Sequence, residues 1–196
     1  VRGRPNPMAR NTEIGWDPEH GAFDSIGLRR IDAAIHLSGV SIAGGRWSSK
    51  RKLLIQESRV RSTHLLAQAL AGMSERPPVL IVASAAGYYG DRGEEPLTED
   101  SPPGEGFLAE TAVRWENAAD TARDAGIRVV HARFGLILSR QGGLLGKMRV
   151  PFQTALGGKL GSGRQWWPWI SLVDVVSGLS FVLNNEDISG PVNFTT

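Results

Sequence analysis

Ser84, Tyr88 and Tyr89 fall close together in SAAGYYGD (84–91), and their hydroxyls are the groups in this chain best suited to proton transfer. A phenol titrates near 10 and moves protons at neutral pH only when a neighbouring cation favours the phenolate. The spacing that supplies one is Y-x-x-x-K, and it is absent: the residues four positions after the two tyrosines are Arg92 and Gly93. The plainer role for either tyrosine is a pocket wall. A second group of candidates lies in 157–169, where Arg164, Gln165, Trp166, Trp167 and Trp169 combine stacking area with polar handles. That combination suits a planar or sugar-like ligand bearing an anion, or equally an aromatic cluster sealed by other protein. Lys147 and Met148 approach this loop from the preceding helix. The chain has no cysteine, and its four histidines (His20, His36, His64, His131) lack ligand spacing, so no metal site is expected. His36 and His131 fall inside expected strands and read as satisfied sheet residues.

These side chains need elements to hold them. Val79–Val82 is a short apolar run rich in branched residues, the pattern of a fully buried strand in a parallel sheet. Such sheets bind ligands beyond the carboxyl ends of their strands, which puts Ser84 to Tyr89 where chemistry would occur. Further strands are expected at Glu13–Trp16, Ala33–Leu37, Ile127–Phe134 and Gly190–Thr195. Helices are expected at Ser49–Ala71, capped by Ser48 or Ser49 and ended by Gly72, and at Phe107–Ala125, where Leu108, Ala112, Trp115, Ala119 and Ala122 form one apolar face. Leu144–Leu156 reads as a helix interrupted at Pro151, and Ser171–Leu183 as a helix whose capping box is Ser171 with Asp174. Asp91–Gly106 is a polar Gly/Pro loop. Strands alternating with helices argue an α/β fold with a doubly wound parallel sheet.

Composition narrows the function. The chain has 196 residues, 41% hydrophobic and 21% charged, enough for one α/β domain with a real core. A net charge of +2 with scattered arginines gives no nucleic-acid footprint, and no apolar stretch approaches a membrane span of about 20 residues. A small-molecule substrate is the partner expected, and the absence of cysteine fits a reducing, cytoplasmic setting. No G-x-G-x-x-G sits between a strand and a helix. The segment at Val1-Arg2 reads as the end of a second strand, with a first strand, its Gly-rich turn and a first helix expected upstream.

The segments LSGVSIAGGRW (37–47), SRVRST (58–63), SAAGYYGD (84–91), RFGLILS (133–139), GGLLGKMRVPF (142–152) and GGKLGSGRQWWPWI (157–170) together resemble one family. It is the atypical extended short-chain dehydrogenase/reductase group related to nucleotide-sugar epimerases. The resemblance covers nearly the whole chain. It implies a Rossmann-type domain, partial over 1–196, without its first strand and without the small C-terminal domain, and with 140–170 contributing substrate-side loops. It also implies that the segment alone binds cofactor weakly or not at all.

The resemblance implies NADP as the preferred cofactor, with NAD also accommodated. Arg2 stands where a basic residue marks that preference, since a guanidinium grips a 2′-phosphate bidentately. Leu37, Ser38 and Gly39 end the next strand, where the lack of a side chain at Gly39 lets the backbone approach the adenosine half. Arg59 replaces the Asn of the usual N-V-x-G-T stretch and is implied to face the cofactor, able to bind a phosphate or substrate anion. Arg133, Phe134 and Gly135 are implied to lie on the nicotinamide side. Against the family's ordinary pattern, the usual Ser/Thr position falls on Ala85 beside Ser84, and the helix that should carry Y-x-x-x-K offers Phe107, Leu108, Thr111 and Ala112. Ser84, Tyr88 and Tyr89 are then the catalytic candidates, and Lys147, Arg164, Gln165 and Trp167 the substrate candidates. Two functions follow: an NADP-dependent oxidoreductase or epimerase (an isomerase) acting on a small polar, nucleotide-sugar-like substrate, or a non-catalytic NADP-binding sensor or partner-binding module.

Overall fold

The computed structural model describes residues 14–23, 30–140, 142–159 and 161–196. The expected strand end at Val1-Arg2, and with it Arg2, lies outside them. A four-stranded parallel sheet, in the order β3-β4-β5-β8, organises the chain. Its strands are β3 (Ala34–His36), β4 (Val79–Ala85), β5 (Arg128–Phe134) and β8 (Gly190–Phe194). Register runs straight across, with His36 beside Val82, Ser84 beside Arg133, and Arg133 beside Asn193.

Alternation along β4 and β5 sends side chains to two cores. Leu80, Val82 and Val129 pack against Ala67 and Leu70 of α1 (Ser49–Ala71), Trp115 of α2 (Phe107–Asn117) and Ala122 of α3 (Asp120–Asp124). Val79, Ile81, Val130 and Ala132 meet Val175, Leu179 and Val182 of α5 (Leu172–Asn184) on the other face. Helices therefore cover both faces, as the alternating pattern predicts.

α1 starts at the Ser48 cap and stops at Gly72, and the Ser171 side chain caps α5 by accepting from Asp174 N–H. Other expectations are corrected. The stretch 107–125 is two helices, because hydrogen bonding tightens to three-residue steps at Ala119 (to Glu116 O) and Ala122 (to Ala119 O). Leu108 is not on the buried face; it is 39% exposed, and Ala109 is buried instead. Of the expected strand Glu13–Trp16, Glu13 lies outside the described residues and Ile14 and Gly15 are not strand; β1 is Trp16–Asp17, paired with β2 (Ala22–Phe23). α4 (Gly143–Gln153) runs through Pro151, which sits in its last turn and so removes only one internal bond. Two short strands went unforeseen: β6 (Leu136–Leu138) pairs in parallel with β7 (Trp169–Ser171). Among the described residues no helix is long and apolar enough to cross a membrane.

Candidate functional site

The carboxyl ends of β3, β4 and β5 line up, and three clusters gather there. The first follows β4. The chain leaves Ala85 into a 3₁₀ turn, Ala86–Tyr89, and folds back under loop 91–106. The fold-back is tight: a Cβ on Gly104 would fall 2.1 Å from Tyr89 O, so only glycine fits. Beneath the turn Arg133, 3% exposed, is held by Glu116 through Nε–H to Oε1 and Nη2–H to Oε2, both 2.9 Å. Ser84 Oγ–H donates to Glu116 Oε1 at 2.6 Å. Arg133 Nη1–H donates to Tyr89 OH at 2.8 Å and to Glu99 O at 3.2 Å, and Tyr89 OH in turn donates to Asn193 Oδ1 at 2.7 Å. The Arg133 guanidinium also lies over the Tyr88 ring, 3.5 Å from its centroid. Burial alone would ease a proton off Arg133; the bonds to Glu116 and Tyr89 more than reverse this and hold it firmly charged.

The second cluster lies at the tip of β3. Leu37, Ser38 and Gly39 are exposed. Arg59, from α1, reaches this tip and donates through Nη1 to Val40 O (3.1 Å) and Ile55 O (2.9 Å). Its guanidinium stacks over Trp115 at 5.0 Å, and Trp115 Nε1–H is fixed by Thr63 Oγ1 at 2.9 Å. Partial burial lowers the Arg59 pKa. A Cβ on Gly39 would stand 3.2 Å from Arg59 Cζ, so the bare glycine lets the guanidinium lie against the strand end. Just below, His36 Nε2 is 3.0 Å from Ser62 Oγ. The Ser62 hydroxyl proton goes to Ser58 O at 2.7 Å, so the imidazole is the donor.

The third cluster comes from the second half of the chain. Lys147 Nζ on α4 donates to Ala43 O at 3.3 Å, joining α4 to the Gly-rich loop after β3. Loop 157–168 is tied to the sheet where it ends: Leu136 N–H donates to Pro168 O at 2.8 Å, and Gly135 N–H to Phe194 O at 3.0 Å. A Cβ on Gly135 would fall 2.7 Å from Pro168 O. Beyond this anchor Arg164, Gln165, Trp166 and Trp167 stand exposed, Trp166 at 75%.

The structure thus joins Ser84, Tyr88, Tyr89 and Arg133 in one network, and sets Gly39 against Arg59, with Leu37 and Ser38 exposed at the same strand end. Lys147 meets the loop after β3. Arg164, Gln165 and Trp167 share an exposed loop. Sequence reasoning missed Glu116, Glu99 and Asn193. Glu116 carried a signal, since a carboxylate four residues after Ala112 and three before Ala119 falls on the buried face and needs a partner. Among the described residues no group of three or more His, Asp or Glu side chains could hold a metal.

Comparison with known proteins gives this arrangement a context. The family described as NAD dependent epimerase/dehydratase matches residues 18–194. An epimerase family protein of Mycobacterium bovis is 44% identical over 187 residues, covering 95% of this chain and 62% of its own length. The crystal structure of the human epimerase family protein SDR39U1 with NADPH aligns with a TM-score of 0.81 at 34% identity, covering 86% of this chain and 58% of that one. A nucleoside-diphosphate sugar epimerase from Corynebacterium glutamicum aligns at 0.83 with 38% identity, over 100% of this chain and 40% of its own. The chain spans about three-fifths of the length of the curated relatives it matches.

Proposed function

The chain belongs to the NAD dependent epimerase/dehydratase family, and from that premise we propose that it is an NAD(P)-binding domain of an oxidoreductase or epimerase acting on a small polar, nucleotide-sugar-like substrate. The observation that carries this reading is the β3 tip: Leu37, a large apolar residue 59% exposed, followed by Ser38 and side-chain-free Gly39, with the Arg59 cation lying against Gly39. An apolar surface, a close-approach glycine and a cation at the carboxyl end of a parallel strand suit a dinucleotide. Leu37, Ser38, Gly39 and Arg59 would hold it, with Arg133 and Gly135 on the side of Ser84, and Arg2 selecting NADP over NAD. A bound nicotinamide supplies the redox couple. The chain's own residues supply walls and protons: Tyr88, half-buried on Arg133, is the catalytic group of choice, with Ser84 and Tyr89 beside it. Residues 140–170 form the substrate side, through Lys147, Arg164, Gln165 and Trp167. A cysteine-free chain with a small-molecule ligand accords with the cytoplasm.

One observation favours the second reading, a cofactor-binding sensor without turnover. The Ser84 and Tyr89 hydroxyls are both committed, to Glu116 and Asn193. Two measurements separate the readings. NADPH titrated into isotope-labelled protein should shift the amides of 37–39, 59 and 133–135, and shifts confined to other surfaces would overturn the cofactor site. Turnover over sugar nucleotides and carbonyl compounds, read as epimer formation by product analysis and as NADPH oxidation by absorbance, should appear in the full-length gene product and fall at least tenfold in Tyr88→Phe. Binding without turnover across the panel establishes the sensor.

A further inference from the structure

α4 buries none of its side chains, yet four of them line one recess. Leu145, Met148, Arg149 and Phe152 follow the three-, four- and seven-residue spacing that puts side chains on one helix face. Arg140, between β6 and α4, completes the lining. The volume is about 640 Å³, within the roughly 300–1,000 Å³ of small-ligand sites. Leu145 is 40% and Phe152 56% exposed, so its apolar wall is open to water. Lys147 stands about 100° or more around the helix from each of these four residues, and its ammonium bonds Ala43 O in the loop after β3. The recess and the β3 tip therefore lie on different sides of α4. Polarity narrows the occupant further. The lining holds three apolar side chains and two guanidiniums, with no hydroxyl, amide or carboxylate. The hydroxyl protons of a sugar would find no side-chain acceptor there, and a cation would be repelled. Neither Arg140 nor Arg149 has an ion pair or a hydrogen bond with a described residue. No aspartate or glutamate occurs between Asp124 and Asp174 to supply a local counter-charge.

We propose that this recess is a second ligand site, taking a soluble amphiphile of the medium-chain carboxylate class. The chain lies along Leu145, Met148 and Phe152, and the carboxylate sits between Arg140 and Arg149, whose planar forks match its two oxygens. The site is independent of the cofactor and substrate reading above. A single recess lined by five residues suits one small molecule. A protein partner or a bilayer would need an apolar surface extending well beyond it.

Decanoate is the probe, added to the full-length gene product, and the Met148 methyl resonance, identified by its loss in Met148→Leu, is the local reporter. Decanoate should shift that signal saturably. Binding should weaken about tenfold in each of Arg140→Gln and Arg149→Gln. Hexanoate, four methylenes shorter, should bind at least tenfold more weakly, since each buried methylene is worth up to about fourfold. Both arginines are exposed, and unchanged circular dichroism verifies the fold of the variants. Absence of a saturable Met148 shift overturns the proposal, as does unchanged affinity in both variants. Equal affinity for hexanoate and decanoate overturns it too, because the apolar wall then contributes nothing. Displacement of decanoate by UDP-glucose or NADPH would assign the recess to the substrate or cofactor site instead. A response to phosphatidylglycerol vesicles without one to decanoate would make it a membrane contact and equally sink the assignment.

Discussion

Replacing Arg133 by Met tests the buried network directly. The native guanidinium makes two bonds to Glu116, one to Tyr89 and one to Glu99 O, and covers the Tyr88 ring. Methionine fills much of the stem volume but donates nothing. The Glu116 carboxylate then keeps only the Ser84 hydroxyl, at a site where its side chain is 10% exposed. Stranding one member of a buried ion pair costs about 3–5 kcal/mol, a large share of the roughly 5–15 kcal/mol that holds a domain of this kind. The double variant Arg133→Met with Glu116→Leu removes both charges, and should cost about 2 kcal/mol less than the sum of the single changes. Urea unfolding followed by far-ultraviolet circular dichroism gives both numbers, with an unchanged m-value securing the comparison. A loss below about 1 kcal/mol for Arg133→Met, or strict additivity in the double variant, would refute the view that this pair is the electrostatic keystone beneath the β4 turn.

The remaining predictions probe other parts of the argument. Burial pushes His36 down to about 4 from an ordinary 6.5, so the unfolded chain takes up a proton that the folded one resists. Its stabilisation is complete above pH 6.5 and is lost as pH falls toward 4, amounting to about 2 kcal/mol by pH 5. Buried His131 is lowered in the same direction. Urea midpoints from pH 8 to 4.5 should therefore fall steeply, and less steeply in His36→Gln. Gly135→Ala drives a Cβ to 2.7 Å from Pro168 O and should destabilise by about 2–3 kcal/mol in the same assay. Arg128 donates to Val182 O, Leu183 O and Ile188 O around the end of α5. Arg128→Ala should cost about 2 kcal/mol, read as a drop in melting temperature. Ser171→Ala removes the α5 cap and should cost about 1 kcal/mol.

What was legible in the sequence is what local forces decide. α1 begins and ends where Ser48 and Gly72 place it, and β4 follows from VLIV, because capping and burial act within a few residues. The missed features have partners far along the chain. β6 is three residues whose strand character comes from pairing with β7, some thirty positions later. The break at Ala118-Ala119 lies in a stretch whose apolar periodicity continues straight through it, with Ala119 and Ala122 in one core with Ala67 and Leu70 of α1. Glu116 looked like one more helix acid until Arg133, 17 residues away, and Ser84, 32 away, were placed around it. Nothing near Tyr88 and Tyr89 distinguishes two adjacent phenols. The difference is made by Arg133 and Asn193, which stand 44 and 104 positions beyond Tyr89.

That difference bears on chemistry. One hydroxyl closes the buried run of β4 and two follow it, and their partners sort them. Ser84 gives its proton to Glu116 and Tyr89 gives its own to Asn193, so each would have to break a buried bond of 2.6–2.7 Å before serving a substrate. Tyr88 is held by its ring face rather than by its hydroxyl: Arg133 stacks on it, and no described residue bonds its oxygen. Glu116 thus acts on Tyr88 at one remove, since the carboxylate that grips the Nε/Nη2 edge of the guanidinium also fixes the plane on which the ring rests. In the proposed catalyst the missing ammonium four residues after the tyrosine has a counterpart of different geometry, a permanently charged guanidinium at the ring face. Such a cation cannot give up its proton near neutrality, so it orients the phenol and leaves proton transfer to the phenol itself.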